Sequence, residues 1–436
     1  MTDEARVVIR YHERTKHHPH RYAASPGFLD WANEPNPFRR YEETPLLDLP
    51  LGEDDGEVDY RGLYDRRKNI FRPFSLENIA KFLELSMGLS AWKSYGGSSW
   101  ALRMNPSSGN LHPTEAHLVL PPMPENSRGG VFHYSPFFHA LEQRAVLGEG
   151  VWSGIRRHLG MDGFFVGLSS IYWRESWKYG ERAFRYCMHD VGHAIACLSF
   201  SANLLGWKAT YLNALSNGDL EIMLGFAGVK WKRFEEEKPD LLLFIHDFER
   251  DVPRDLPHEI IESFRSLSFV GEPNRLSKDH REWLAIEEVS SMTVKPKTAE
   301  MRYRFGDHLF LGHETPSMDA AKIIRQRRSA PGFDGKTHIT KEDFFSMLDR
   351  TIPRSSSAPF DSELFETSVH LLLFVHRVSA LDQGLYFLVR EEKDLGEIKK
   401  RCHDHFLWKR VEDAPKHLSL YLLKKGDFRS EGAVAG

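Results

Sequence analysis

Apolar residues recur at three- and four-residue steps in the stretch SLENIAKFLELS. Leu76, Ile79, Ala80 and Leu83 fall on one stripe, and Ser75 stands where a helix cap is needed. A longer stripe runs through 181–205, carried by Phe184, Cys187, Met188, Val191, Ala194, Ile195, Leu198, Ala202 and Leu205, with Gly206 at the terminating position. Short apolar runs read as strands: AHLVL (116–120), GVFHYSP (130–136) and LLLFIHD (241–247). Residues 1–59 carry no such period. PNPFRRYEETP and LGEDDGE are loop signals, and the interleaved Tyr11, Tyr22, Trp31 and Tyr41 predict an irregular arm packed on the body.

The pattern then restarts. SLENIAKFLELS at 75 matches TKEDFFSMLDRT at 340, AHLVL at 116 matches VHLLL at 369, and GVFHY matches GLYFL. Thr340 followed by Asp343 is a capping signature. VHLLLFVHR (369–377) and QGLYFLVRE (383–391) are the second copy's strands. RRKN near 66 answers RRSA near 327. The predicted organisation is an arm (1–59), a first copy (60–250), a connector with Pro breaks (251–318) and a second copy (319–436). The second copy lacks counterparts of the long helix and of LLLFIHD, so it reads as C-terminally incomplete, and SEGAVAG reads as an unstructured tail.

Composition narrows the class. The chain has 436 residues, 41% of them hydrophobic, enough for at least one large core. A formal charge of −4 implies neither a nucleic-acid nor a membrane surface as partner. Three cysteines without pairing or metal spacing fit a reducing, cytoplasmic compartment.

Two clusters carry candidate chemistry. RMNPSSGNLHP (103–113) packs turn formers and small donors into one run but lacks the lysine of a phosphate loop. Its Pro106-Ser107-Ser108-Gly109-Asn110 suits a turn that offers short side chains and backbone N–H groups to a polar ring edge. AAKIIRQRRSA (320–330) is a helix end leading into Arg327, Arg328 and Ser329, an arginine fork with a hydroxyl, which is the chemistry that holds a phosphate dianion. Between them, Arg182, Tyr186, His189 and His193 share one helix face. His189 and His193 have metal-ligand spacing but no third ligand in evidence, so no metal is predicted. The HHPH run reads as a solvated arm, and Arg185 as an internal ion-pair partner of Asp190.

Four stretches in order, RMNPSSGNLHPTE, GVFHYSPFFHALE, KYGERAFRYCMHDVGHA and IIRQRRSAPGFDG, resemble the FMN-dependent nitroreductase superfamily in a tandem form. The resemblance is closest to the SagB-type azoline-dehydrogenase branch. It implies an α+β, three-layer nitroreductase-like fold with a mostly antiparallel sheet, two copies forming an intrachain pseudo-dimer, and FMN as cofactor. One flavin site is implied, built from Arg103, Asn105, Pro106, Ser107, Ser108, Gly109 and Asn110 with Arg325, Arg327, Arg328 and Ser329. The second is degraded, since Arg67-Lys68-Asn69 replaces Arg-x-Ser in copy one and the loop of copy two has become IPRSSSAPF. Lys178 and Tyr179 match the branch's Lys-Tyr pair, which removes a substrate proton while hydride passes to flavin N5. The implied activity is an oxidoreductase acting on a small-molecule or peptide substrate, with NADH or NADPH as candidate electron donor. The alternative is a catalytically inactive flavin- or partner-binding protein with a decayed second copy.

Overall fold

The computed structural model describes residues 2–18, 20–52, 58–65, 69–248, 250–308, 310–311 and 318–435. The chain divides into two compact units, Met1–Arg302 with Met318–Arg327, and Tyr303–Ser317 with Arg328–Gly436. These units do not divide at 60, 251 and 319. The arm, most of the connector and the segment carrying Arg325 and Arg327 fold into the first unit, each contributing buried groups such as Tyr11, Tyr41, Val289, Ala320 and Ala321.

The first unit holds helices α1 (Asp3–Thr15), α2 (Leu76–Met87), α3 (Glu149–Leu159), α4 (Tyr172–Tyr179), α5 (Ala183–Leu204), α6 (Asn217–Met223), α7 (His258–Arg265), α8 (Leu284–Met292) and α9 (Ala320–Gln326). Its strands are β1 (Tyr41–Glu42), β2 (Leu46–Asp48), β3 (Leu89–Tyr95), β4 (Ser98–Arg103), β5 (Thr114–Leu120), β6 (Gly130–Ser135), β7 (Ala140–Ala145), β8 (Gly163–Ser170), β9 (Trp207–Tyr211), β10 (Lys238–Asp247) and β11 (Glu272–Pro273). Seven of them form one sheet, β2-β7-β6-β5-β8-β10-β9, with every pairing antiparallel. Successive side chains of a strand point to opposite faces. Phe164 accordingly meets Phe82 of α2, while Phe165 meets Trp152 of α3. Helices thus cover both faces in a three-layer α+β arrangement. This is why β5 and β8 are buried along their whole length and read as apolar runs.

Ser75 caps α2 by accepting from Asn78 N at 3.3 Å, and α5 stops just before Gly206. The arm departs from its expected irregularity. Residues 3–15 are helical, with Thr2 accepting from Ala5 N and two acids in the first turn. Only Tyr11 and Thr15 are buried, so the stripe is too narrow to show as a period. The Tyr11 hydroxyl donates to Glu181 O at 2.6 Å, tying this helix to the start of α5. Tyr22 and Trp31 remain exposed.

A buried polar network fixes the strand beside the loop. Glu115 bonds Arg174 and lies 3.2 Å from His133, and Arg174 also donates to His112 O at 2.6 Å. Burial pushes the Glu115 carboxyl up, but Arg174, Arg103 and His133 outweigh it and hold it at about 2. Burial likewise opposes protonation of His133, and its bonds to Glu115 and Glu142 raise it to about 9.

The second unit holds α10 (Lys341–Asp349), β12 (Leu371–Val375), β13 (Gly384–Val389), α11 (Leu395–Arg401), β14 (Lys409–Arg410), β15 (Ser419–Lys425) and α12 (Arg429–Ala435). Its sheet, β12-β13-β15-β14, is antiparallel and packs Phe344, Leu348, Val375, Tyr386, Leu388 and Leu420 into one core. Helix-then-hairpin, α10 with β12–β13, repeats α2 with β5–β6. Thr340 caps α10 through Asp343 N at 3.0 Å. The tail expected to be unstructured is helical, since Asp427 accepts from Arg429 N at 3.0 Å and Gly432 faces the Phe374 ring. In IPRSSSAPF, Arg354 turns inward and donates to His308 O and Asp349 O at 2.8 and 2.7 Å. Arg67 and Lys68 lie outside the described residues, whereas Asn69 donates to Gly62 O and Asn203 O at 2.9 and 2.6 Å.

Candidate functional site

The loop between β4 and β5 is a built turn. Ser107 Oγ accepts from His112 N at 2.8 Å, Asn110 Nδ2 donates to Ala101 O at 2.9 Å, and the His112 ring lies 3.0 Å from Asn110 Oδ1. Gly109, Asn110 and His112 have φ of 62°, 63° and 52°, the left-handed region that Gly and Asn tolerate best. From α5, buried Asp190 accepts from Ser108 N at 3.1 and 3.2 Å and from Ser108 Oγ at 3.2 Å. One turn on, His193 Nδ1 lies 3.2 Å from Pro106 O and 3.6 Å from Asp190. Two residues of one helix therefore clamp both sides of the turn.

The end of α4 supplies the other wall. A Cβ on Gly109 would stand 2.6 Å from Tyr179 Oη and 3.0 Å from Lys178 Nζ, so glycine alone lets both side chains approach the loop. Lys178 Nζ is also 3.5 Å from Gly109 O. The Tyr179 and Tyr186 rings have centroids 4.4 Å apart, and the Tyr186 hydroxyl accepts from Arg182 Nε at 3.2 Å. Burial, with Glu175, Tyr186 and Asp190 nearby, pushes the Tyr179 hydroxyl up to about 12.

Glu175 lies one helical turn before Lys178 and Tyr179. It is fully buried, and among the described residues both carboxyl oxygens lack a hydrogen-bond partner. Burial, then the charge of Asp190, raises it well above the usual carboxylate range, so it is a neutral acid. His193 is raised chiefly by its bond to Asp190, and His189 is lowered chiefly by burial. The charge of Arg327 acts on His193 and on Cys197, which puts it on the same side of α5 as the loop.

The structure thus gathers Pro106, Ser107, Ser108, Gly109, Asn110, Lys178 and Tyr179. It does not gather all the residues expected. Arg103 is buried, donates to Pro37 O and Thr114 O, and is lowered by that burial to about 10. Asn105 is also buried, and its Oδ1 has no partner. Arg325 makes a two-pronged pair with Glu84 at 2.7 and 3.1 Å, which anchors α9 to α2. Arg328 and Ser329 are exposed and fall in the second unit. The ion pair expected between Arg185 and Asp190 is absent. Five residues apart, they point to different sides of α5, and Arg185 instead meets His12 and Thr15 of α1. The sequence offers Asp190 only as a partner of Arg185, and Glu175 does not stand out in it. The available signal was a carboxylate inside each of two otherwise apolar helix faces, one turn from a candidate residue. Among the described residues no group of three or more metal-ligating side chains occurs.

No family model matches this sequence, and no curated protein matches it. Among solved structures, a protein from Anabaena variabilis designated a nitroreductase aligns with 98% of this chain and 80% of its own, with 17% identity and a TM-score of 0.61. Another so designated, from Ralstonia eutropha, aligns with 53% of this chain and 100% of its own at 16% identity, with a TM-score of 0.34 that is too low to bear on the fold. The fold is nitroreductase-like. No helix among the described residues is long and apolar enough to cross a membrane.

Proposed function

We propose that this chain is an FMN-dependent oxidoreductase of the nitroreductase superfamily, in the tandem, SagB-type form, working in the cytoplasm as an intrachain pseudo-dimer. The observation that carries the reading is the meeting of Lys178 and Tyr179 with the turn at Gly109. The residues of the first unit fit the cofactor: the charge of Arg327 reaches His193 beside the turn, and Tyr179 and Tyr186 offer aromatic surface. Bound FMN would accept hydride at N5, from the substrate or from NADH or NADPH. The chain's own residues do the remaining work. Lys178 takes the substrate proton at Nζ, and Tyr179 orients the substrate through its hydroxyl, which stays protonated at neutral pH. Neutral Glu175 keeps a second negative charge out of the floor beneath them. The substrate is a small molecule or a peptide.

One set of contacts favours the second reading, a flavin- or partner-binding protein without turnover. Ser108 spends its N–H and hydroxyl on Asp190, and Arg325 is committed to Glu84, which leaves fewer donors for a ligand. The visible spectrum of the purified chain, with release and identification of any flavin, tests the site. About one FMN per chain, lost in Arg327→Ala, supports it, and no uptake from excess FMN refutes it. Bleaching by NADH or NADPH, and slowing of turnover in Lys178→Ala with flavin retained, separates enzyme from binding protein.

A further inference from the structure

A second cavity lies in the first unit, away from the Gly109 turn. It measures about 500 Å³ and is bordered by the turn after α6, the end of α7, Arg144 of β7 and the strand β11. Phe264, Phe269, Leu267 and Ile222 form apolar walls, and Phe264 belongs to the core that α3, α6 and α7 build on the sheet. Gly225, at φ +68°, lets the Phe269 ring lie directly on its backbone, since a Cβ there would sit 2.2 Å from the ring. That size is in the range of a small-molecule site, and the apolar walls meet charged groups at Arg144, Lys230, Arg265 and Glu272.

Arg144 lines this cavity, and its bonding is incomplete. It is 1% exposed, Nε donates to Val270 O at 2.8 Å, and its guanidinium lies 3.7 Å from the centroid of the Tyr41 ring. Nη1 is buried with no hydrogen-bond partner, and among the described residues no carboxylate pairs with Arg144. A ring face offsets part of the cost of burying a cation. It does not replace an anion, because the remaining N–H groups stay unsatisfied. The other buried arginines of this unit, Arg39, Arg103, Arg174 and Arg254, each have a carboxylate within ion-pair distance. At the mouth, Lys230 is exposed, Arg265 is paired with Glu262, and Glu272 adds one negative charge.

We propose that this cavity is a binding site for a monocarboxylate with an apolar body, the carboxylate taking the open N–H groups of Arg144 and the body lying between Phe264 and Phe269. A single buried guanidinium balances one negative charge, which favours a carboxylate over a phosphate dianion. The site does not depend on the proposed flavin chemistry.

Calorimetric titration of the full chain tests it, with 4-phenylbutanoate, 4-phenylbutanol and inorganic phosphate as probes, each taken to about 10 mM, where weak fragment affinities register. The expected result is saturable binding of the carboxylate at one site per chain, at least about ten-fold tighter than the alcohol, the ratio one charge-assisted bond provides. Phosphate should not bind there, and FMN should not compete. Arg144→Gln should weaken the carboxylate by about ten-fold or more and leave the alcohol unchanged. Gly228→Phe keeps the arginine and guards against a folding defect. Gly228 lines the cavity, and a Cβ on it meets nothing within 4 Å, so the ring enters open space and should abolish binding of both organic probes. Equal affinity for acid and alcohol, tighter binding of phosphate, no binding of any probe to the folded chain, or unchanged carboxylate binding in Gly228→Phe would each overturn the proposal.

Discussion

Replacing Asp190 by asparagine keeps the shape of the side chain and removes its charge. In the wild type, one buried carboxylate accepts two donors from Ser108 and faces His193 at 3.6 Å. Bonds to a charged acceptor contribute about 1.5–3 kcal/mol each, and an asparagine oxygen can still accept one of them in neutral form. The His193 contact is half exposed and adds little. The net loss at the turn is therefore about 2 kcal/mol, equivalent to roughly a 30-fold loss of amide protection. Global stability should move differently. Asp190 is the charge that helps keep Glu175 protonated, so Asp190→Asn removes that repulsion and lets Glu175 titrate closer to the ordinary range, while its desolvation stays. Hydrogen exchange followed by peptide mass analysis separates the two effects. Peptides covering 104–113 should exchange about 30-fold faster while those of β5 and β8 keep their rates. Unchanged exchange across 104–113, in a variant that folds, would refute the view that Asp190 holds the turn.

Gly109→Ala places a methyl 2.6 Å from Tyr179 Oη at a left-handed φ, which costs about 1–2 kcal/mol in backbone alone; FMN uptake should weaken by about ten-fold or more, and uptake equal to wild type counts against the turn as the cofactor's seat. Asp240 is partly buried beside Ser170 Oγ, and desolvation raises it from 3.8 to about 7. The folded state therefore binds the extra proton between those values, so stability falls as pH rises from about 4 to about 7 and levels off above. Asp240→Asn should flatten that slope and gain at most roughly 4 kcal/mol by pH 7 in urea titrations, whereas an unchanged slope would mean that Asp240 ionises normally. Glu175 is raised in the same sense, so Glu175→Gln should gain stability over wild type as pH climbs above the carboxylate range; a gain confined to low pH would reverse the assignment.

Local order in this chain was legible because it depends on near neighbours. The stripes of α2 and α5, the Ser75 and Thr340 caps, and the runs that became β5, β6, β10, β12 and β13 are written at spacings of two to four residues. The helix α1 was not legible, since only Tyr11 and Thr15 are buried and its apolar Val7, Val8 and Ile9 stand in one short run among charged residues. The turn at 105–110 and the Lys178-Tyr179 pair were also readable as unusual residue sets. What they do to each other was not. Their sequence separation of about seventy residues is closed by strand pairing between β5 and β8, which ends at Ser170 just before α4. Burial and partner choice belong to the same class. Nothing in RMNP says that Arg103 and Asn105 point inward, or in RRSA that Arg327 stays with the first unit while Arg328 and Ser329 leave it. The sequence alone determined which segments become helices and strands, because propensity and period act over one or two turns. Only the tertiary structure decided which polar groups are neutral, paired or free to meet a ligand. Those states depend on charges and solvent exclusion supplied by residues far away in the chain.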